Sequence, residues 1–325
     1  MNELLVDHVS MADPPLFSKD TVPWSVAAFT SQLQVLVTAR APSELEFDLV
    51  SVDASIANAF RRILIAEVPT MAIETVYVSH NTSVVQDEVL AQRLGLVPLR
   101  ADARLFAFRE GPDDPPTDQN TLVFSINVRC GHNAAAAPLE VDPLRKFVNS
   151  SVYSGSIVWA PQGEQAAWQK HIAPVHDDIL LAKLRPGQAI IAELHCQKGI
   201  GKEHAKWSPV ATASYRLLPH IEITAPITGV DAHKFKACFP PGVVKITAIQ
   251  GVDHAEIDNP RRDTASRECL RHKEFEGKVR LSRVRNHFLF AIESTGAVEP
   301  HDLFDQSIDV LIAKCVELKK ALLEI

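Results

Sequence analysis

Long apolar runs are missing from this chain: nowhere in its 325 residues does a hydrophobic stretch approach the ~20 residues that a membrane-crossing helix needs. The opening MNELLVDHVSMADPP also lacks the basic-then-apolar order of a secretion signal, so a protein that stays inside the cell and off the membrane is expected. An excess of positive charge is missing too. The formal net charge is -7, whereas gripping DNA or RNA over a whole surface requires a basic excess to neutralise phosphates. Cysteine is sparse and odd in number: Cys130, Cys196, Cys238, Cys269 and Cys315 are scattered without pattern, which fits reduced thiols rather than a disulfide framework. No CxxC pair occurs, so His195 and His204 beside Cys196 do not make a structural zinc site, and neither a metal nor a cofactor is expected. There is no GxSxG, and thirteen histidines supply chance neighbours for any serine. The paired acids Asp113–Asp114 and Asp177–Asp178 sit beside proline or in polar turns, where solvated carboxylates are the rule.

What is present includes HCQKGIGKEHAKW (195–207), two glycines followed by lysines. A phosphate-gripping loop requires GxxxxGK and then Ser or Thr, so that backbone amides cradle phosphate and the hydroxyl holds magnesium. Aligned on Gly201–Lys202, the first glycine position is Cys196 and the hydroxyl position is Glu203. The dinucleotide fingerprint fails as well for want of a third glycine. A tight glycine turn presenting Lys198, Lys202, His204 and Lys206 is the simpler expectation; a nucleotide-dependent enzyme using 198–207 stays as the competing reading from another class.

Along the chain, the first 25 residues, rich in Pro, Asp and Ser, read as a loose arm. QLQVLVTA (32–39) and ELEFDLVSV (44–52) follow as a half-buried antiparallel pair, the second alternating Glu44, Glu46 and Asp48 with Leu45, Phe47 and Leu49. A helix capped by Asp53 or Ser55 and stopped before Pro69 comes next. Ile56, Phe60, Ile63 and Leu64 share one face, but other apolar residues occupy much of the remaining circumference, so partners on more than one side are expected. A strand (72–78) and a second helix, with Asp87 as cap and Gly95 as stop, precede a β-rich centre broken by long irregular excursions. Arg261, Arg262, Arg267 and Arg271 in DNPRRDTASRECLRHKEFEGKV are flanked by the acids Asp258, Asp263, Glu268 and Glu274, which suits a charged loop and helix docking on another protein. At the end, Phe304, Ile308, Leu311, Cys315, Leu318, Leu322 and Ile325 recur at alternating steps of four and three, a seam for a partner helix.

Four segments taken together, ASIANAFRRILIAEVPTMAIETVYV, DEVLAQRLGLVPL, KGIGKEHAKWSPVATASYRLLP and DNPRRDTASRECLRH, resemble the α-like subunits of multisubunit RNA polymerases, the family of the bacterial RNA polymerase α chain and its archaeal counterpart, in the family's order from about residue 30 onward. GKEHAKWSPVATASYR is most similar to the larger α-like subunits shared by eukaryotic polymerases I and III; subunits of polymerase II or an archaeal-type polymerase, or a homodimer on the bacterial pattern, are the neighbouring readings. The resemblance implies an α+β fold with a discontinuous α/β dimerisation domain (26–80 and 214–325) interrupted by an inserted β-rich domain (81–213). The dimer interface would use Ile56, Phe60, Ile63 and Leu64 with Phe304, Ile308, Leu311, Cys315, Leu318 and Leu322, and Arg61, Arg62, Lys202, Lys206, Trp207, Arg261 and Arg262 would dock other subunits. It implies a noncatalytic assembly subunit of the nucleus, nucleolus included. Its partners would be the smaller α-like subunit, the second-largest catalytic subunit and the small zinc-bearing subunits, with DNA met only through the complex. The polymerase II relative has a four-cysteine zinc cluster in its insert, where this chain has only Cys130 and Cys196. Nothing resembles the aspartate loop with which the largest subunit of such polymerases holds the catalytic magnesium.

Overall fold

The computed structural model describes residues 5–7, 25–111, 114–137, 140–168 and 172–324; most of the expected arm, together with Asp113 and Ile325, lies outside them. The fold is α+β, with antiparallel sheets and helices interspersed among the strands along the chain. Two compact units divide it, one gathering the described residues of 1–39 with 46–58 and 214–291, the other 40–45, 59–213 and 292–325.

The first unit rests on a sheet ordered Leu5–Asp7, Val279–Ser294, Glu44–Val50, Gln34–Arg40, with Val210–Ile223 also paired to Val279–Ser294. Phe47 stacks on Phe290 with ring centroids 5.2 Å apart, and Tyr215 meets Phe288 edge-on at 5.2 Å. A second cluster sits where the helix Val230–Ala237 brings Phe235 against Phe239 and Phe275. Beside it, the hairpin Val244–Ile249/Val252–Ile257 turns on Gln250 and Gly251, both at positive φ, as a two-residue turn matched to strand twist requires. The segment 258–279 holds no α-helix. It runs through three single turns, Pro260–Arg262, Glu268–Arg271 and Lys273–Phe275, the first capped by the Asn259 side chain.

Strand Glu44–Val50 follows its alternation with one exception. Leu45, Phe47 and Leu49 are buried and Glu44 and Glu46 exposed, but Asp48, expected on the solvent side, is buried too. The cause is charge: Arg261 Nη1 donates to both Asp48 carboxylate oxygens at 2.5 and 2.7 Å, and His287 Nε2 lies 2.9 Å from Oδ2. Arg261 Nη2 also reaches Thr38 Oγ1 at 3.1 Å, while Arg216 holds the Arg261 and Asp263 carbonyls. Burial alone would raise the Asp48 pKa, but the hydrogen bonds and charges of Arg261 and His287 outweigh it and hold the carboxyl below its ordinary range.

The second unit is built on an antiparallel sheet ordered Ile157–Trp159, Thr121–Arg129, Ala189–Ile200, Pro69–Asn81. Leu122, Phe124, Ile126, Leu194 and Cys196 fill its core, and helix Asp87–Gly95 adds Leu90 and Leu94. Gln86 occupies the N-cap position, so Asp87 is the first helical residue rather than the cap; its carboxylate accepts from Asn81 Nδ2. Pro69–Asn81 pairs with Ala189–Ile200 from end to end, Pro69 opposite Ile200 and Asn81 opposite Ile190. This pairing ties residues 59–80, expected with the dimerisation segments, to the β-rich centre in one compact unit.

Replacing Asp48 with Asn leaves the Arg261 guanidinium facing a neutral partner and should cost about 3 kcal/mol in denaturant unfolding. Because the folded pKa is lowered, the stabilising share of Asp48 is complete above its unfolded value near ~4 and is lost as pH falls through the lower folded value. The variant should lack that acid-dependent component of stability; identical acid unfolding curves for the two proteins would refute the assignment.

Candidate subunit interface

Two helices carry the expected interface residues. Ala54–Ala66 begins where the Asp53 carboxylate accepts from Ser55 N at 2.8 Å, and hydrogen bonds from the Ser55 side chain and backbone hold that carboxyl below its usual range. Ile56 and Phe60 are half-buried, whereas Ile63 and Leu64 are fully enclosed by the chain itself. These last two therefore offer no surface to a second subunit, a correction to the expected face: an all-round apolar helix here spends part of its circumference on its own core.

The helix Pro300–Leu323 starts with Pro in its first turn, where the missing N–H costs nothing. Its near half is anchored: Leu303 and Ser307 are buried, Phe304 meets Phe60 with centroids 5.2 Å apart, and Ile308 and Leu311 are half-buried. Lys314 Nζ reaches Glu67 Oε2 at 2.7 Å, an exposed pair that contributes at most ~1 kcal/mol. Past Leu311 the seam emerges. Cys315 is exposed, Leu318 and Leu322 are 66% and 73% exposed, and Ile312, Val316 and Leu323 are open beside them. Covering an aliphatic side chain contributes roughly 1.5–3 kcal/mol, so this helix end alone could supply on the order of 10 kcal/mol to association before its entropy cost. In the first unit, Gln34–Arg40 is exposed along its whole length at a sheet edge, leaving Val35, Leu36 and Val37 bare. The signal for that surface is in QVLV, where three successive apolar residues break the period of two and so place greasy side chains on both faces.

The glycine–lysine stretch does turn at Gly201–Lys202, with Glu203 N donating to the Ile200 carbonyl at 3.0 Å, but its glycines answer to close packing rather than to the turn. Gly199 lies within strand Ala189–Ile200, and a Cβ there would overlap the Trp207 ring. A Cβ on Gly201 would overlap the Ile65 carbonyl oxygen. Both glycines are thus spent on close approach, to an indole and to a helix end, and Lys202 N donates to the Ala66 carbonyl at 2.8 Å. Trp207 is 7% exposed, with Nε1 donating to the Gln197 carbonyl at 3.1 Å, and Thr70 Oγ1 donates to the Trp207 carbonyl. Lys206 Nζ binds the Ile73 carbonyl and the Glu74 carboxylate, and lies over the Trp207 ring. Lys198 Nζ donates to the Phe106 carbonyl, and burial lowers its pKa despite the attraction of Asp102.

Of the residues expected to dock other subunits, Trp207, Lys206 and Arg261 therefore work inside the chain, which corrects that expectation for these three: each has its polar atoms satisfied internally. Arg62, Lys202 and Arg262 are exposed, Arg61 is half-buried, and Arg262 packs its guanidinium against Gly242. Burial pushes the thiols of Cys130 and Cys196 up, that of Cys196 far above its ordinary value, and the Cys269 thiol is raised to about 11. Among the described residues no group of three or more His, Cys, Asp or Glu is gathered to hold a metal ion.

A mixed fold that carries a long helix with a bare apolar end defines a chain built to be one member of an assembly. Residues 46–315 match the RNA polymerase Rpb3/Rpb11 dimerisation domain, and the chain belongs to that family. Among its relatives, the DNA-directed RNA polymerases I and III subunit RPAC1 of Homo sapiens is 49% identical over 318 residues, covering 97% of this chain and 92% of the relative. The protein of the same name from Saccharomyces cerevisiae is 48% identical over 320 residues, covering 97% and 95%. The DNA-directed RNA polymerase II subunit rpb3 of Dictyostelium discoideum is more distant, at 31% over 310 residues, covering 92% and 98%.

Gly201→Ala should destabilise the chain by about 1–3 kcal/mol, since the clash is with backbone that cannot swing aside. A thermal unfolding midpoint equal to that of the parent would refute the close-approach reading.

Proposed function

We propose that this chain is a noncatalytic assembly subunit of DNA-directed RNA polymerases I and III, supporting transcription of ribosomal, transfer and 5S RNA. The observation that carries the reading is the bare end of Pro300–Leu323, found in a chain that matches the polymerase I and III subunits at 48–49% over nearly its full length but the polymerase II subunit at 31%. Its first partner is the smaller α-like subunit, which covers Cys315, Leu318 and Leu322 together with the half-buried Ile56, Phe60, Phe304, Ile308 and Leu311. The discontinuous dimerisation domain is contributed by the segments on either side of the β-rich centre. The pair then docks the second-largest catalytic subunit and the small zinc-bearing subunits through cations: the exposed Arg62 and Lys202 and the half-buried Arg61 in one unit, and the exposed Arg262 in the other. The chain itself carries no catalytic residue and meets DNA only through the complex. It resides in the nucleus, nucleolus included.

Affinity purification of the chain from its own cells should bring down the large subunits of polymerases I and III and not those of polymerase II. Recovery of the chain by itself, or with polymerase II, would overturn the proposal. Leu318→Glu with Leu322→Glu should abolish capture of the smaller partner while raising the solubility of the isolated chain. Arg62→Glu with Lys202→Glu should spare that partner and reduce recovery of the second-largest subunit; undiminished recovery would remove these cations from the docking surface.

A further inference from the structure

Away from the interface helices, the second unit holds a cleft of about 560 Å³ between helix Pro143–Lys146 and the antiparallel pair Ser151–Tyr153/Leu180–Lys183. Val84, Leu144, Tyr153 and Leu180 give it apolar walls, and Lys183 and Arg185 stand on its rim. The volume lies within the ~300–1,000 Å³ of small-ligand pockets, but those bury most of their ligand. Here Val84 is 85% and Leu144 63% exposed, so a small molecule would remain open to water; the shape suits side chains delivered by an extended polypeptide.

The charges around the cleft select its occupant. Among the described residues Lys146, Lys183 and Arg185 form no ion pair, and the first and last of these crowd the same Phe147 ring, each 5.9 Å from its centroid. One acid, Asp142, also lines the cleft; its Oδ1 caps Leu144 N at 3.0 Å and its Oδ2 lies 3.9 Å from Arg145 Nε, while Glu140 Oε1 accepts from Asp142 N at 3.0 Å. Around the cleft the cations Arg145, Lys146, Lys183 and Arg185 outnumber the acids Glu140 and Asp142, and this surplus of positive charge beside uncovered aliphatic side chains suits an anionic, apolar partner. We propose that this cleft docks a short acidic segment of another polypeptide, its leucine-like side chains entering beside Val84 and Leu144 and its carboxylates pairing with Lys183 and Arg185.

The test uses the complex purified from its own cells, with fluorescence anisotropy of a labelled peptide that alternates leucine with aspartate and glutamate, and a control whose acids are replaced by lysine. The acidic peptide should bind and the control should not. Lys183→Glu with Arg185→Glu should weaken binding at least ~tenfold while the large subunits copurify as before, and raising salt should weaken it further. Val84→Asp, which leaves the cations in place, should weaken it as well. Where charge reversal disturbs copurification, Lys183→Ala with Arg185→Ala replaces it with the same expectation. No binding, equal binding of both peptides, binding indifferent to all these substitutions, or preference for a short RNA or an anionic vesicle over the acidic peptide would each overturn the proposal.

Discussion

A 24-residue helix that is anchored at one end and bare at the other governs the molecule. Leu303 and Ser307 are sealed into the fold and Phe304 grips Phe60, so the helix direction is fixed before any partner arrives. The remaining turns project Leu318, Leu322 and their neighbours into solvent. A preset, rigid apolar face binds without having to order itself first, and most of its gross burial energy then remains available for association. The same rigidity constrains Gly201, which meets the end of helix Ala54–Ala66 at close quarters, and Glu67, which pairs with Lys314.

Much of this architecture is legible in the sequence. The seam at 304–325 is a period, and periods survive the loss of all three-dimensional information: its positions from Phe304 to Leu322 all fall on the observed helix Pro300–Leu323. The strands Val210–Ile223 and Glu44–Val50 are likewise legible, but Gln34–Arg40, expected half-buried beside the latter, is exposed throughout. The division of that helix into covered and uncovered halves has no such signature, because Leu303 and Leu318 are equally apolar and only tertiary packing separates them.

Charges are harder to read than apolar residues. Arg261 and Arg262 are adjacent and chemically alike, yet one is a guanidinium clamp on a buried carboxylate and the other is open to solvent. Asp48 sits in phase with Glu44 and Glu46, and its burial depends on Arg261 and His287, both more than two hundred residues away. Trp207, expected on a docking surface, is instead enclosed, and the glycine at 199 is the residue that makes room for its ring. In each case the deciding partner lies outside the local pattern, which cannot carry that information.

The Asp48–His287 pairing spans 239 positions, and strand Val279–Ser294 lies next to Glu44–Val50 in the sheet. During synthesis the early strand must therefore wait, unpaired on that edge, until residues near 290 have left the ribosome. The β-rich centre, whose strands Pro69–Asn81 and Ala189–Ile200 are complete long before, can mature in the interval. The helix Pro300–Leu323 with its bare apolar end emerges later still, so the nascent chain presents that adhesive end only when the rest is ready to support it.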